Sequence, residues 1–255
     1  MGTILPGFSK MVPVVRQPKL RYDLSMNNRD YKQFAEGEIY HVYNRGVGKM
    51  DIFRDHDDYL LLISRLREAL HPGEQPSTMA HDMQDGAHLA QPVRRRYVYP
   101  RKKLPAGAFT LIAYCLMPNH YHFLVRQNGS APVSKLILNV FGGYAKCFNK
   151  KYDRVGSLFQ DQFKAVRVDS DEYLRWVSAY IHANPLVARM VDSLDGYPYS
   201  SYPDLAGLRE GTLCDASPVL SQFGTVADYA SFVSDVSAQT GERKAFTHVL
   251  IDEDL

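Results

Sequence analysis

The sequence is poor in cysteine and in long apolar runs, and it has almost no net charge. Its three cysteines, Cys115, Cys147 and Cys214, lie far apart and form no Cys-x-x-Cys pair, which gives no support to a disulfide framework or a thiolate zinc site. No long apolar segment occurs near the N-terminus, so neither a signal peptide nor a transmembrane helix is predicted, and we expect a cytoplasmic protein. Because the net charge is only +2, any basic surface for nucleic acid must be local.

What the sequence does contain is an ordinary globular composition that is rich in tyrosine. Of its 255 residues, 45% are hydrophobic and 23% are charged, which suits one domain with additions. There are 17 Tyr and 12 Phe but one Trp, and tyrosine faces can stack on bases, although most of these residues belong in a core. We predict an N-terminal arm at 1–35, a main domain at 36–204 with an insertion at 73–107, and a partly ordered extension at 205–255.

The hydrophobic patterns predict the element order β-α-β-β-α-β followed by one more helix. Asp55 is expected to cap the first helix and Ser170 the last. Gly142 and Gly143 cost the second helix about 1 kcal/mol each, which indicates close packing or a bend there. This order is typical of a ferredoxin-like α+β fold, an antiparallel sheet with helices on one face. The predicted strands are Glu38–Asn44, Phe109–Met117, His120–Arg126 and Leu158–Val168. The first predicted helix follows Asp55, the second covers Val133–Phe148, and the third runs from about Asp171 to Ala183.

Two histidines flank one bulky residue in the third predicted strand. Side chains at positions i and i+2 of a strand point to the same face, so His120 and His122 can direct two imidazoles at one point. That point suits a metal ion or a phosphate oxygen. Taken alone, such a pair is more often structural than ligating.

The last predicted helix carries Tyr180 and Asn184, four residues apart, and Pro185 closes it. Residues at i and i+4 share a helix face, so a tyrosine nucleophile and an amide oxygen could act beside the histidines on a phosphodiester. Each residue also has a plainer interpretation, because Tyr180 lies in an aromatic stripe that suits packing and Asn184 could cap the helix end. His182 falls on another face and is expected at the rim.

A basic run with interleaved tyrosines lies in the predicted insertion. Six of the ten residues from Arg94 to Lys103 are cationic and none is acidic, which suits a phosphate backbone, although a solvated linker would look the same. Further basic residues are placed to contact DNA. The predicted DNA-binding residues are Arg45, Arg94, Arg95, Arg96, Arg101, Lys102, Lys103, Arg126, Lys164 and Arg167.

Taken together, these motifs resemble the single-tyrosine HUH transposases of bacterial insertion sequences, and in particular the REP-associated tyrosine transposases. The likeness runs in order over about residues 36–204. The residues that carry it are His41-Val-Tyr-Asn-Arg-Gly46, Ile52-Phe53, Met117-Pro-Asn-His-Tyr-His-Phe-Leu-Val125, Gly156-Ser-Leu-Phe-Gln160 and Tyr180-Ile-His-Ala-Asn-Pro185.

The resemblance implies a metal-dependent enzyme that nicks and rejoins single-stranded DNA at repeat hairpins. It implies that His120 and His122 bind Mg²⁺ or Mn²⁺, with Asn184 as the third ligand. Tyr180 would then attack the DNA phosphate to form a 5′-phosphotyrosine intermediate. Many insertion-sequence members have Gln at the third-ligand position, and Tyr121 is bulkier than the usual middle residue. Location at the nucleoid and action as a monomer or a homodimer also follow from the resemblance.

Two alternatives remain open at this point. One is a domesticated relative that binds hairpin DNA or RNA without cutting it. The other is a metallohydrolase that uses His120, His122 and a carboxylate such as Asp161 with activated water, although no His and Asp cluster with hydrolase spacing occurs in the sequence.

Overall fold

The protein is described here by a computed structural model that covers residues 33–73 and 103–242. Four strands form one sheet in the order β2-β3-β1-β4, and every neighbouring pair is antiparallel. Together with the helices between the strands, this order confirms the predicted ferredoxin-like α+β fold. The strands are β1 (Ile39–Arg45), β2 (Phe109–Met117), β3 (His120–Gln127) and β4 (Lys164–Val168).

In the described parts of the chain, six helices accompany the sheet. The two predicted N-terminal caps are confirmed. Asp55 accepts a hydrogen bond from Asp58 N at the start of the first helix, and Ser170 accepts one from Tyr173 N at the start of the third. Within residues 33–73 and 103–242, no helix combines the length and the apolar character that crossing a membrane requires. The helices are α1 (His56–Leu70), α2 (Val133–Lys151), α3 (Asp171–Val187), α4 (Tyr202–Leu205), α5 (Ser217–Leu220) and α6 (Val226–Glu242), with short 3-10 turns at Val47–Lys49 and Leu194–Gly196.

The sheet separates two hydrophobic cores. Because side chains alternate along a strand, Tyr40, Val42 and Phe123 belong to the core that α1 and α2 cover, whereas Tyr43 and Leu124 belong to the other core. The predicted helices on one face are therefore α1 and α2. The opposite face, which carries His41 and His122 by the same alternation, is covered by α3 and by the chain that follows it.

The structure corrects two predicted boundaries. The fourth strand is shorter than predicted, because residues 158–163 are irregular and form only an isolated bridge, Gly46 to Phe159. The last helix is longer, since α3 continues through Pro185 to Val187. Pro185 has no N–H to donate to the backbone carbonyl of Ile181, four residues earlier. The side-chain Nδ2 of Asn184 lies 3.5 Å from that carbonyl oxygen and 2.9 Å from the backbone oxygen of Tyr180.

The segment after α3 is more regular than the sequence suggests. Helix α6 was not predicted, and it packs along α3 through the fully buried Tyr229 and Val233. Residues 199–201 pair with the edge of β2, where Leu116 N donates to Tyr199 O at 2.9 Å. The proposed division into arm, main domain and extension stays a prediction, and residues 1–32, 74–102 and 243–255 lie outside the described parts.

The two adjacent glycines of α2 have different surroundings. A Cβ added at Gly143 would overlap the guanidinium of Arg65, whereas one added at Gly142 would meet nothing within 4 Å. Arg65 is 2% exposed and donates to the carbonyls of Val140 and Asn139 at 2.8 and 3.0 Å. Close packing of α1 on α2 therefore explains Gly143, and Gly142 has no such role.

Candidate active site

The two predicted histidines lie on the central strand β3, beside β1. Their register places His120 opposite Arg45 and His122 opposite Tyr43. The ring centroids of the two histidines are 5.1 Å apart, and the rings are nearly perpendicular. His122 is fully buried and His120 is half-buried, so the pair spans the boundary between the core and the surface.

Each histidine has a hydrogen-bonding partner at its Nδ1 atom. Asn119 Oδ1 lies 2.6 Å from His120 Nδ1. His41 Nε2 lies 3.0 Å from His122 Nδ1, and the His41 ring is fully buried at a centroid distance of 5.2 Å from that of His122. Both contacts engage Nδ1, so the Nε2 side of each ring is the side on which a ligand would be held.

Helix α3 brings Tyr180 against the same group of rings. The Tyr180 ring centroid is 5.8 Å from that of His122 and 6.3 Å from that of His41, and both contacts are edge-on. Trp176, one turn earlier, stacks on Tyr180 with centroids 5.3 Å apart and planes 8° apart. Tyr180 is only 3% exposed. The predicted tyrosine and histidine motifs, sixty residues apart in sequence, thus meet within one chain.

Asn184 follows Tyr180 on α3 and is also buried, at 6% exposure. Its amide nitrogen donates to the carbonyl of Tyr180, which leaves the amide oxygen as the atom available to a cation. The amide oxygen, together with phosphate oxygens of a substrate, suits Mg²⁺ or Mn²⁺, whereas the two imidazoles are donors that transition metals prefer. In the described parts of the chain, no three His, Cys, Asp or Glu side chains are grouped to hold a metal. The set of His120, His122 and Asn184 therefore stays a prediction, and its mixed nitrogen and oxygen donors can hold a divalent cation.

The tight loop at residues 46–50 and the Gly156–Gln160 motif lie at the end of β1 that pairs with His120. Arg45 donates through Nε to Gln160 Oε1 at 2.9 Å, and Gln160 N donates to Arg45 O at 3.0 Å. A Cβ at Gly46 would overlap the carbonyl oxygen of Met50, so the loop can turn this tightly only with glycine there. The motif singled out in the sequence thus positions Arg45 at the edge of the site.

The predicted DNA-binding residues are spread over the structure. Arg45 and Lys164 lie on the strand face that carries His41 and His122, and Arg126 lies on that face at the far end of β3. Arg167 lies on the other face, and its guanidinium binds the Glu38 carboxylate at 2.6 and 2.8 Å. Lys103 is exposed just before β2. Outside the described residues lie Arg94, Arg95, Arg96, Arg101 and Lys102.

His182 does not lie at the rim, as the sequence suggested. It is fully buried between α3 and the C-terminal segment, with Nδ1 2.6 Å from the hydroxyl of Tyr229 and Nε2 2.8 Å from Ser201 Oγ. Helix α6 covers the face of α3 that was expected from the sequence to be exposed to solvent. Burial, with a smaller contribution from the charge of Arg209, lowers the pKa of His182 to about 3.

Three residues of the site were not identified from the sequence. In the sequence, His41 and Asn119 appear only within longer motifs, and Trp176 belongs only to the aromatic stripe that contains Tyr180. Alternation along β1 places His41 on one face with Tyr43 and Arg45, but the neighbour of β1 in the sheet decides whether that face meets the histidine pair. The sheet order β3-β1 supplies that information.

A comparison with known protein families includes this site. Residues 94–184 match the family of IS200-like transposases, and this segment includes both histidines of β3, Tyr180 and Asn184. The family resemblance expected from the motifs is thereby confirmed over that segment. Among solved structures, that of a REP-associated tyrosine transposase bound to a REP hairpin matches 68% of this chain and 82% of its own, with 12% identity and a TM-score of 0.44. No curated protein matches the chain.

Proposed function

We propose that this protein is a metal-dependent transposase that nicks and rejoins single-stranded DNA through a 5′-phosphotyrosine intermediate. The observation that carries the proposal is the contact between the Tyr180 ring and the His122 ring, 5.8 Å apart at their centroids. The match of residues 94–184 to IS200-like transposases supports the same class of reaction. Hairpins formed by palindromic repeats are the proposed substrate, and cytoplasmic, nucleoid-associated DNA is its proposed location.

The proposed reaction exchanges one phosphodiester bond for another. Tyr180 Oη attacks the phosphorus and loses its proton, the bond from phosphorus to the 3′ oxygen breaks, and that oxygen takes up a proton as a free 3′-OH. Attack by a 3′-OH on the phosphotyrosine reverses these steps and rejoins a strand. A divalent cation held by His120, His122 and Asn184 would supply positive charge to the non-bridging oxygens.

The residues around Tyr180 orient its ring and keep water away from it. The stack with Trp176 fixes the plane of the phenol, and its edge-on contacts with His41 and His122 fix its direction. Positioning of this kind is what in-line attack on a phosphate requires. Tyr180 is only 3% exposed, so these rings and their neighbours leave little of its surface to solvent.

The test is formation of a covalent adduct between protein and DNA. A labelled hairpin oligonucleotide with repeat-like flanks is incubated with Mn²⁺ and full-length protein, and the products are separated by denaturing protein electrophoresis. We expect a DNA-linked band for the wild type and none for Tyr180→Phe. The matched control is Tyr173→Phe, which removes the hydroxyl of another buried tyrosine two turns earlier on α3 and should leave the band intact.

Other outcomes would assign a different function. An adduct that persists in Tyr180→Phe would refute Tyr180 as the nucleophile. Cleavage by both proteins without an adduct would favour water activated near a carboxylate such as Asp161. Hairpin binding that survives a chelator, with neither cleavage nor adduct, would favour a binding module.

A further inference from the structure

We propose that Asn119 and His41 are positioning residues that hold His120 and His122 with their Nε2 atoms directed at the catalytic cation. This inference rests on the proposed metal site. Neither residue was singled out by its sequence motif as part of that site. Each contacts the Nδ1 atom of one of the two histidines.

The contact between Asn119 and His120 defines which nitrogen of His120 carries the proton. A side-chain amide oxygen accepts hydrogen bonds and cannot donate them. With Asn119 Oδ1 2.6 Å from His120 Nδ1, Nδ1 must carry a proton, and in the neutral ring Nε2 then keeps the lone pair that a metal needs.

The orientation of the Asn119 amide is itself fixed by the neighbouring loop. Asn119 Nδ2 donates to Lys49 O at 3.3 Å, and Asn119 O accepts from Gly46 N at 2.8 Å. Lys49 has a left-handed backbone, with φ of 60°, a conformation that L side chains rarely adopt. The strained turn thus places a carbonyl where it binds the amide nitrogen and leaves the amide oxygen to His120.

His41 performs the corresponding role for His122 from the adjacent strand. The two rings share one hydrogen bond of 3.0 Å, and both are fully buried. If His122 donates from Nδ1, its Nε2 can bind a metal; if His41 donates, His122 Nε2 is protonated and cannot. Metal binding therefore selects the arrangement in which His41 Nε2 accepts the hydrogen bond.

Neutral partners at these positions have a chemical consequence. A carboxylate at Nδ1 would also orient the ring, but it would add negative charge beside the cation. An amide and an imidazole orient the rings without reducing the positive charge that faces phosphate. The arrangement therefore suits a site that must stabilise an anionic phosphodiester.

The inference is tested by measuring Mn²⁺ affinity by electron paramagnetic resonance on the full-length protein. Loss of an outer partner typically weakens metal binding by about 10- to 100-fold. We expect a loss of this size for His41→Phe and for Asn119→Ala, and near wild-type affinity for His41→Gln, whose amide oxygen can still accept from His122. The matched control is His71→Gln, which changes the half-buried histidine that follows α1 on the other face of the sheet and should leave Mn²⁺ affinity unchanged.

A second measurement separates orientation from general damage to the fold. Long-range ¹H–¹⁵N correlation spectra of the metal-free protein report which ring nitrogen carries the proton. We expect the Nδ1-protonated form of His120 in the wild type and a mixture of both forms in Asn119→Ala. This readout applies even if His41→Phe does not fold.

The outcomes distinguish the inference from the function on which it rests. If His120→Ala and His122→Ala leave Mn²⁺ affinity unchanged, the proposed metal site is wrong. If those two variants lose Mn²⁺ while His41→Phe and Asn119→Ala bind it like the wild type, the metal site stands and the positioning role is refuted.

Discussion

The buried histidine of α3 makes the stability of the protein depend on pH. His182 is enclosed by α3, α6 and the segment around Ser201, and its nearest polar groups are Ser201 Oγ and the hydroxyl of Tyr229. The Tyr202 ring packs edge-on against it at 5.7 Å, and Arg209 supplies the nearby positive charge. Burial away from water disfavours the protonated ring, the charge of Arg209 adds a smaller effect, and the pKa of His182 therefore falls from 6.5 to about 3.

The sign and size of the effect follow from proton binding by the two states. Between pH 6.5 and pH 3 the unfolded chain protonates His182 and the folded protein does not, so the free energy of unfolding falls as the pH is lowered. With these pKa values, lowering the pH from 7 to 5 removes about 2 kcal/mol of stability through this one residue. That is a large fraction of the stability of a typical domain.

Urea denaturation at pH 7, 6 and 5, followed by circular dichroism, measures this contribution. His182→Gln keeps a polar side chain of similar size but does not titrate, so its stability should fall by about 2 kcal/mol less than that of the wild type over this pH range. The comparison uses the change with pH, and a constant destabilisation of the variant therefore does not affect it. Equal pH dependence in the two proteins would refute the reasoning.

Further predictions concern α2 and the assembly of the site. Gly142→Ala should raise the free energy of unfolding by roughly 1 kcal/mol because alanine favours a helix. Gly143→Ala should lower it by about 1–3 kcal/mol because the added Cβ meets Arg65. Urea midpoints of the two variants test both predictions, and equal shifts would contradict them. Since the tyrosine and histidines meet within one chain, mixing His122→Ala with Tyr180→Phe should restore no adduct, whereas restored activity would show a site shared between two chains.

The sheet and its caps could be predicted from the sequence because their signals are local. An apolar run and its hairpin return predict β2 and β3 within one residue of their observed ends, and the capping residues Asp55 and Ser170 are recognisable by type and position. The His120 and His122 pair follows from the period of a strand. Its proximity to Tyr180 followed from the family resemblance, because spacing in sequence does not reveal which side of a sheet a helix covers.

Features that depend on distant partners were missed. Nothing local distinguishes His182 as buried, since α6 lies more than forty residues away in the chain. Helix α6 itself has a recognisable signal, because Tyr229, Val233 and Val236 are buried at helical spacing and Thr225 exchanges hydrogen bonds with Asp228 at its start. The prediction for 205–255, a partly ordered extension without a named element, does not include this helix.

The C-terminal segment has a part in the proposed chemistry although it lies outside the matched family segment, which ends at residue 184. The two histidines are held by the central strands, but the nucleophile belongs to α3, and a single helix on a sheet face can slide or rotate. His182 lies two residues from Tyr180 and is bound to Tyr229 of α6 and to Ser201, while Ser201 N in turn donates to Tyr114 O of β2 at 3.0 Å. These contacts tie the tyrosine helix to the sheet that carries the histidines, so residues 199–242 help to fix the distance on which the proposed attack depends.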